Sequence, residues 1–313
     1  MGKSRPCPVC HTGFEKTKLF IEKNIDPAKL SGFSFASRKE PEFMCHRLVQ
    51  CPNCDLVYAD QPPDEGDLAH AYHAADYDSS AEANDAAAAY IKAIQPTLGM
   101  LARRRSALEI GAGNGVFLEH LSREGFTELA GIEPSSAAIA AAPEYRRAWI
   151  REGMFEEKDF APESFDLICC FMTMEHVRDP NVVAGAAFRL LRPGGAFVTV
   201  THDYRSLVNR LLGKRSPIID IEHMQLFSGR SVRYLFESAG YTDITVNAFV
   251  NTYPLRYWMR LLPLPRGIKS AMPNLMTSLF ELLDAKPFLV LSGKPVTGMI
   301  MLTARSTRYL LPV

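Results

Sequence analysis

Residues Leu108-Glu109-Ile110-Gly111-Ala112-Gly113-Asn114-Gly115-Val116-Phe117-Leu118 run from an apolar stretch, through three alternating glycines, into a restarted helical pattern. That is a strand, a tight turn and a helix N-terminus in eleven residues. Glycine at these positions permits positive φ and lets a ligand approach closer than any Cβ would allow. The helix that follows points its free N–H groups at that ligand. A dinucleotide fingerprint puts its third glycine where Val116 stands and has no use for an acid such as Glu109 before the turn. The stretch constrains the chain to an α/β protein with a ligand at the turn.

Glu-x-Gly-x-Gly-x-Gly resembles motif I of the class I methyltransferases that use S-adenosylmethionine. The resemblance implies a Rossmann-like, doubly wound, seven-stranded sheet. It also implies a loop of Glu109, Gly111, Ala112, Gly113 and Gly115 around the amino-acid and ribose part of the cofactor, with Glu109 near its ammonium and sulfonium end. A second strand, 129–133, ends in Glu133, twenty-two residues after Gly111. A carboxylate at such a tip offers two acceptor oxygens to the ribose hydroxyls. Gly153-Met154-Phe155-Glu156 occupies the loop that cradles adenine in this family; Met154 stands where many relatives carry an acid, so backbone groups or Glu156 would take the exocyclic amine.

Residues 164–171 form a near-continuous apolar run, as expected of a strand covered on both faces. Met172 to Pro180 follows at the strand's C-terminal edge, where α/β sheets place ligands, and is similar to the family's Glu-His-Val-x-Asp-Pro segment. Met172 is expected at the cofactor and His176 as a tie for the loop. A helix over 181–191, the Pro193-Gly194-Gly195 turn, a fifth strand over 196–202 and a sixth over 241–249 continue the family order. Strands are expected at 288–291 and 298–303, the last inserted antiparallel.

Before the glycine turn, Cys7-x-x-Cys10 and Cys51-x-x-Cys54 are matched knuckles that together complete an all-thiolate tetrahedral site for structural Zn2+. Forty residues separate them, so an insert is expected, with strands near 18–21 and 48–49 and a closing strand over 56–60. Cys45, His46 and His11 break the paired spacing and read as loop residues. The predicted organisation is a zinc-ribbon module (1–62), a helical linker and lid (63–104) and a methyltransferase domain (105–313) with substrate-side inserts at about 203–230 and 250–285. In the linker, His70, Tyr72, His73 and Tyr77 either pack between domains or lid the cofactor, and Tyr77 is taken as a cofactor contact. Residues 81–102 read as an amphipathic helix that Pro96 kinks or splits.

Thirty-five basic and thirty-five acidic residues cancel, which disfavours a nucleic-acid partner. The start of the chain reaches its first cysteine without an apolar segment, and later apolar stretches are cut by Lys269, Glu281, Lys286 and Lys294. Neither a secretory leader nor a transmembrane span is expected, and a cytoplasmic location follows.

Acceptor chemistry is expected after the fifth strand, where His202, Asp203, Asp220, Glu222 and His223 gather above the sheet's ligand edge. Ser228 is a helix N-cap that pins the preceding residues. A neutral imidazole is suited to take a proton at pH 7 and an adjacent carboxylate can orient it, so His223 is assigned as general base with Glu222 as its partner. Glu-His followed by Phe227-Ser228 resembles zinc-containing sugar C-methyltransferases, in which such a histidine deprotonates a ketosugar. Those enzymes carry a four-cysteine module too, but aromatic residues where Met224, Gln225 and Leu226 stand here, and a further C-terminal Rossmann-like domain that this sequence does not reach.

The expected function is methyl transfer from S-adenosylmethionine to a small metabolite, a sugar or sugar nucleotide among the candidates. The same domain would serve an O-methyltransferase of a lipid or quinone-like precursor, with Arg256, Arg260 and Trp258 at a headgroup or membrane surface. It would also serve an RNA methyltransferase, which predicts a basic face, or a non-catalytic cofactor-binding protein.

Overall fold

The computed structural model describes residues 4–37, 41–249, 253, 257, 261, 290–291, 294–295 and 299–306. In chain order, β1 (Lys18–Ile21), β2 (Leu48–Gln50) and β3 (Val57–Ala59) form the N-terminal part. Three helices follow: α1 (Glu65–His73), α2 (Ser80–Ala93) and α3 (Gln95–Met100). Then come β4 (Ser106–Ile110), α4 (Val116–Arg123), β5 (Glu128–Glu133), α5 (Ser136–Ala140), α6 (Glu144–Arg147), β6 (Ile150–Glu152), β7 (Phe165–Phe171), α7 (Pro180–Leu190), β8 (Leu191–His202) and α8 (Leu207–Leu212). The chain closes with β9 (Gln225–Leu226), α9 (Gly229–Ser238), β10 (Thr242–Phe249), β11 (Val290–Leu291), β12 (Lys294–Pro295) and β13 (Met299–Arg305).

A seven-stranded sheet carries the fold in the order β10-β13-β8-β7-β4-β5-β6. β13 is antiparallel to both its neighbours, while β8, β7, β4, β5 and β6 pair in parallel. This is the methyltransferase Rossmann-like fold with the final strand inserted as the sequence implies. β7 shows why its strand is apolar throughout: all seven residues are buried, with Ile168 and Cys170 in the core of one face and Leu167, Cys169 and Phe171 in that of the other. Burial lifts both cysteine thiols well above their ordinary range, so they stay protonated.

Pro96 splits the helical segment at Ile94 into α2 and α3, since a proline in the first turn of a new helix loses nothing by lacking an N–H. Of the expected strand at 288–291, residues 290–291 pair with β12 in a separate hairpin; Phe288, Leu289, Arg256, Trp258 and Arg260 lie outside the described residues.

A smaller sheet has the order β1-β2-β3-β9. Its fourth strand comes from residues 225–226, which pair Val57 with Leu226 and Tyr58 with Gln225. Sequence gave no hint of this strand. The N-terminal part also shares its core with the large sheet: Cys7, Val49, Leu56 and Tyr58 belong to one apolar cluster with Leu108, Ile110 and Phe227.

Candidate active site

A cavity of about 640 Å³ opens at the C-terminal edge of the large sheet. The glycine turn forms its floor. Gly111 sits at φ 79°, and a Cβ there would meet the Thr173 Oγ1 at 2.2 Å. Gly113 faces open space, with nothing within 4 Å of where a Cβ would stand, so its backbone is accessible to a ligand. Gly115 does not line the cavity; it is the left-handed N-cap of α4 and faces Ile150 and Arg146. Glu109, buried at the end of β4, and Ala112 line the floor beside Gly111 and Gly113.

Glu133 ends β5 with its carboxylate held from two sides. Oε2 accepts the Gly113 amide at 2.7 Å and Oε1 accepts that of Ser135 at 2.9 Å. Met154, Phe155, Met172 and Tyr77 line the same cavity, so of the ten residues assigned to the cofactor only Gly115 stands back from it. Behind the turn, Tyr90 from α2 stacks on Phe171 at 4.2 Å, and Phe117 and Phe249 complete the apolar packing.

Above this floor stands an acid–base cluster. His223 is 5% exposed, and its Nδ1 lies 2.8 Å from the Ile218 carbonyl. A carbonyl only accepts, so Nδ1 carries the hydrogen. The ring lies 4.9 Å from that of His176 and 5.2 Å from that of His202. Glu222 Oε2 is 3.6 Å from His176 Nδ1. The Ile218 carbonyl thus meets one ring nitrogen of His223, and the Glu222 carboxylate, expected as its partner, stands in the same cluster and also meets His176. Burial first, and then His223, push His202 well below its ordinary pKa, which keeps it neutral.

Tyr72, from α1, reaches His176 Nδ1 at 3.1 Å and the Glu222 carbonyl at 3.4 Å, and packs edge-on against Phe35. Burial, then Glu222, raise its pKa well above the ordinary phenol value, so it remains a hydroxyl. Sequence reading placed Tyr72 among packing or lid aromatics. Its neighbourhood to His176, 104 residues away, has no periodic signature. Phe35, from between the cysteine knuckles, also lines the cavity and carried no sequence signal.

The four paired cysteines meet at the connection between β2 and β3, which supplies Cys51 and Cys54. Cys7 Sγ is 3.5 Å from Cys54 Sγ, and Cys10 Sγ is 3.4 Å from Cys51 Sγ, with all four sulfurs within 4.8 Å of one another. Both knuckles are built alike, each followed by a residue with positive φ, His11 at 55° and Asp55 at 70°. Disulfides are excluded by the separations, which far exceed the roughly 2.05 Å of an S–S bond. The hydrogen bond from Cys54 draws the Cys7 thiol down to about 6. Cys45 and His46 stand apart from the cluster, as the spacing suggested.

A sequence profile described as a methyltransferase domain matches residues 82–246, just over half of the chain. The chain belongs to this family. Its domain is a class I S-adenosylmethionine-dependent methyltransferase domain. Among curated relatives, the ubiquinone biosynthesis O-methyltransferase of Pseudomonas fluorescens (strain SBW25) is 31% identical over 121 residues, 35% of this chain and 50% of that one. That of Klebsiella pneumoniae (strain 342) is 30% identical over 129 residues, 37% of this chain and 53% of that one. The methyltransferase spans about half the length of the curated relatives it matches. Among solved structures, a possible histamine N-methyltransferase from Thermotoga maritima aligns at 20% identity over 73% of this chain and 93% of that one, with a TM-score of 0.47. Phosphoethanolamine N-methyltransferase 2 of Haemonchus contortus, in complex with S-adenosyl-L-methionine, aligns at 15% identity over 70% of this chain and 52% of that one, with a TM-score of 0.45. Among the described residues of the methyltransferase, no helix is long and apolar enough to cross a membrane.

Proposed function

We propose that this methyltransferase acts on a small hydroxylated metabolite, sugar-like in character, with His223 as the general base. The observation that carries the reading is the Nδ1 contact of His223 with the Ile218 carbonyl, which puts the ring hydrogen on Nδ1 and so makes Nε2 the basic nitrogen of a side chain that lines the same cavity as the glycine turn. The residues present fit the cofactor: Gly113 offers an open backbone cradle, and Glu133, fixed by two amides, offers acceptors to two ribose hydroxyls. Glu109 would face the cofactor's cationic end, and Met154, Phe155, Met172 and Tyr77 would wall the same cavity. When bound, S-adenosylmethionine supplies an electrophilic methyl on a sulfonium that leaves as a neutral thioether. The protein's share is to align donor and acceptor, exclude water and hold the acceptor's proton on His223 Nε2. Glu222 stabilises the charged histidine pair that results, through its contact with His176.

Cys7, Cys10, Cys51 and Cys54 hold a structural Zn2+ in this reading. Ideal tetrahedral bonds of about 2.3 Å separate sulfurs by roughly 3.8 Å, close to the spacing found. Four protein ligands leave no position for a catalytic water. We assign residues 1–62 to the zinc module, 63–104 to the linker and lid, and the remainder to the methyltransferase domain, with a cytoplasmic location. A second reading, O-methylation of a quinone-like precursor, is favoured by the named activity of the Pseudomonas and Klebsiella relatives and uses the same base.

The test incubates purified protein with methyl-labelled S-adenosylmethionine and metabolite fractions. Label should enter a small molecule, and His223→Asn should cut the rate by about 10²-fold or more, the scale of general-base catalysis, while S-adenosylhomocysteine still binds. Label entering RNA alone would overturn the assignment.

A further inference from the structure

Two histidines of the cluster come from distant parts of the chain: His176 from the turn after β7, His223 from the strand approach before β9. Their rings are 4.9 Å apart, so something must fix one segment against the other. The backbone begins the job. The amides of Met224 and Gln225 both donate to the Glu175 carbonyl, at 2.8 and 3.2 Å. The Gln225 side chain completes it: Nε2 donates to the Met174 carbonyl at 2.6 Å and to the Val177 carbonyl at 2.7 Å. Gln225 thus grips the His176 turn on both flanks, two residues after His223. Both partners are carbonyls, which only accept, so the amide nitrogen must face them. Gln225 is wholly buried and does not line the cavity, so it has no path to substrate. It is held in turn from the cysteine module, since Tyr58 is its ladder partner and the Ala59 amide donates to the Met224 carbonyl at 2.8 Å.

We propose that Gln225 is a positioning residue for the reaction, an amide bracket that sets His176, with its Glu222 contact, against His223. The inference rests on the reading of His223 as the base. A side chain that lacks two N–H groups, or is a methylene too short to bring them to both carbonyls, leaves the Met174 and Val177 carbonyls without these donors, which the turn relieves by moving toward water and carrying His176 away. Such a shift changes the ring environments of His176 and His223, while the Gly113–Glu133 contact of the cofactor cradle, at the ends of β4 and β5, is made by neither segment.

The experiment follows ring-labelled histidine by NMR through a pH titration, with signals assigned by single histidine substitutions. In Gln225→Met and Gln225→Asn, the His176 midpoint should move by about half a pH unit or more, a change in local charge contact that folding alone does not require. S-adenosylhomocysteine affinity should stay within about threefold. His176 and His223 curves that superimpose on wild type, in a variant that binds S-adenosylhomocysteine, would overturn the proposal. Wild-type protein provides a check that needs no variant: the Gln225 side-chain amide protons should exchange far more slowly than those of exposed Gln61, and equal rates would overturn the bracket. Failure of the base assignment is read separately, as methyl transfer surviving His223→Asn, and leaves these titrations unchanged.

Discussion

Glu175 is completely buried, with one carboxylate oxygen accepting the His202 amide at 3.0 Å. Burial pushes its pKa up to about 7, with the His202 amide pulling the other way. An acid whose folded pKa lies above its unfolded value holds its proton more tightly in the native state. Its contribution is therefore greatest below about 4.5 and is lost as pH rises from there through about 7. The loss amounts to about 3 kcal/mol at most, given 1.36 kcal/mol per unit. Glu175→Gln removes the titrating group, so its stability relative to wild type should rise between pH 5 and pH 8. Urea midpoints at the two pH values measure this, and parallel behaviour of the two proteins would contradict it. Single residues were legible where chemistry and position agree: Glu133 at a strand tip and His223 beside an acid both reach the cavity. The Ile218 contact of His223 Nδ1 was not legible, because that carbonyl is backbone and every residue has one. The Glu222 carboxylate also meets His176, a contact that residue order does not show.

At the scale of elements, α9 begins with a reciprocal cap in which Ser228 Oγ accepts the Ser231 amide at 3.2 Å and Ser231 Oγ accepts the Ser228 amide at 2.8 Å. The cap fixes the helix that follows β9, and through Phe227 and β9 it fixes the approach of Glu222 and His223. Ser228→Ala should cost about 1 kcal/mol, which in a chain of this size lowers Tm by roughly 2–4 °C. Calorimetry with no shift would show that the cap is replaced by water. Elements with strong period or punctuation were readable from sequence: the seven strands of the large sheet, the break at Pro96 and the cap at Ser228. β9 was not, since two residues have no period, and only the edge of β3 makes them a strand.

Across the whole molecule, the cysteine module and the catalytic sheet are tied together. Asp55, just after Cys54, is buried, which pushes its carboxyl up, but the Arg205 guanidinium and the Tyr204 hydroxyl outweigh this and hold it down at about 2. Tyr204 and Arg205 lie just beyond β8, so the knuckle is anchored to the catalytic domain beside the His202 end of that strand. Cys51→Ser should lower zinc from one ion per chain to well below one and speed proteolytic cleavage within residues 203–224, which β3 supports through β9. Zinc retained in full would contradict the four-cysteine site, measured by elemental analysis alongside limited proteolysis. The sequence by itself determined the cofactor-side architecture, because a glycine turn, a strand-tip acid and paired cysteines act through local geometry that spacing encodes. Only the tertiary structure decided how the acid–base cluster is assembled. Its contacts join Tyr72, His176, Glu222, His223 and Gln225 across as many as 150 residues, and hydrogen bonds to backbone carbonyls leave no pattern in side-chain order.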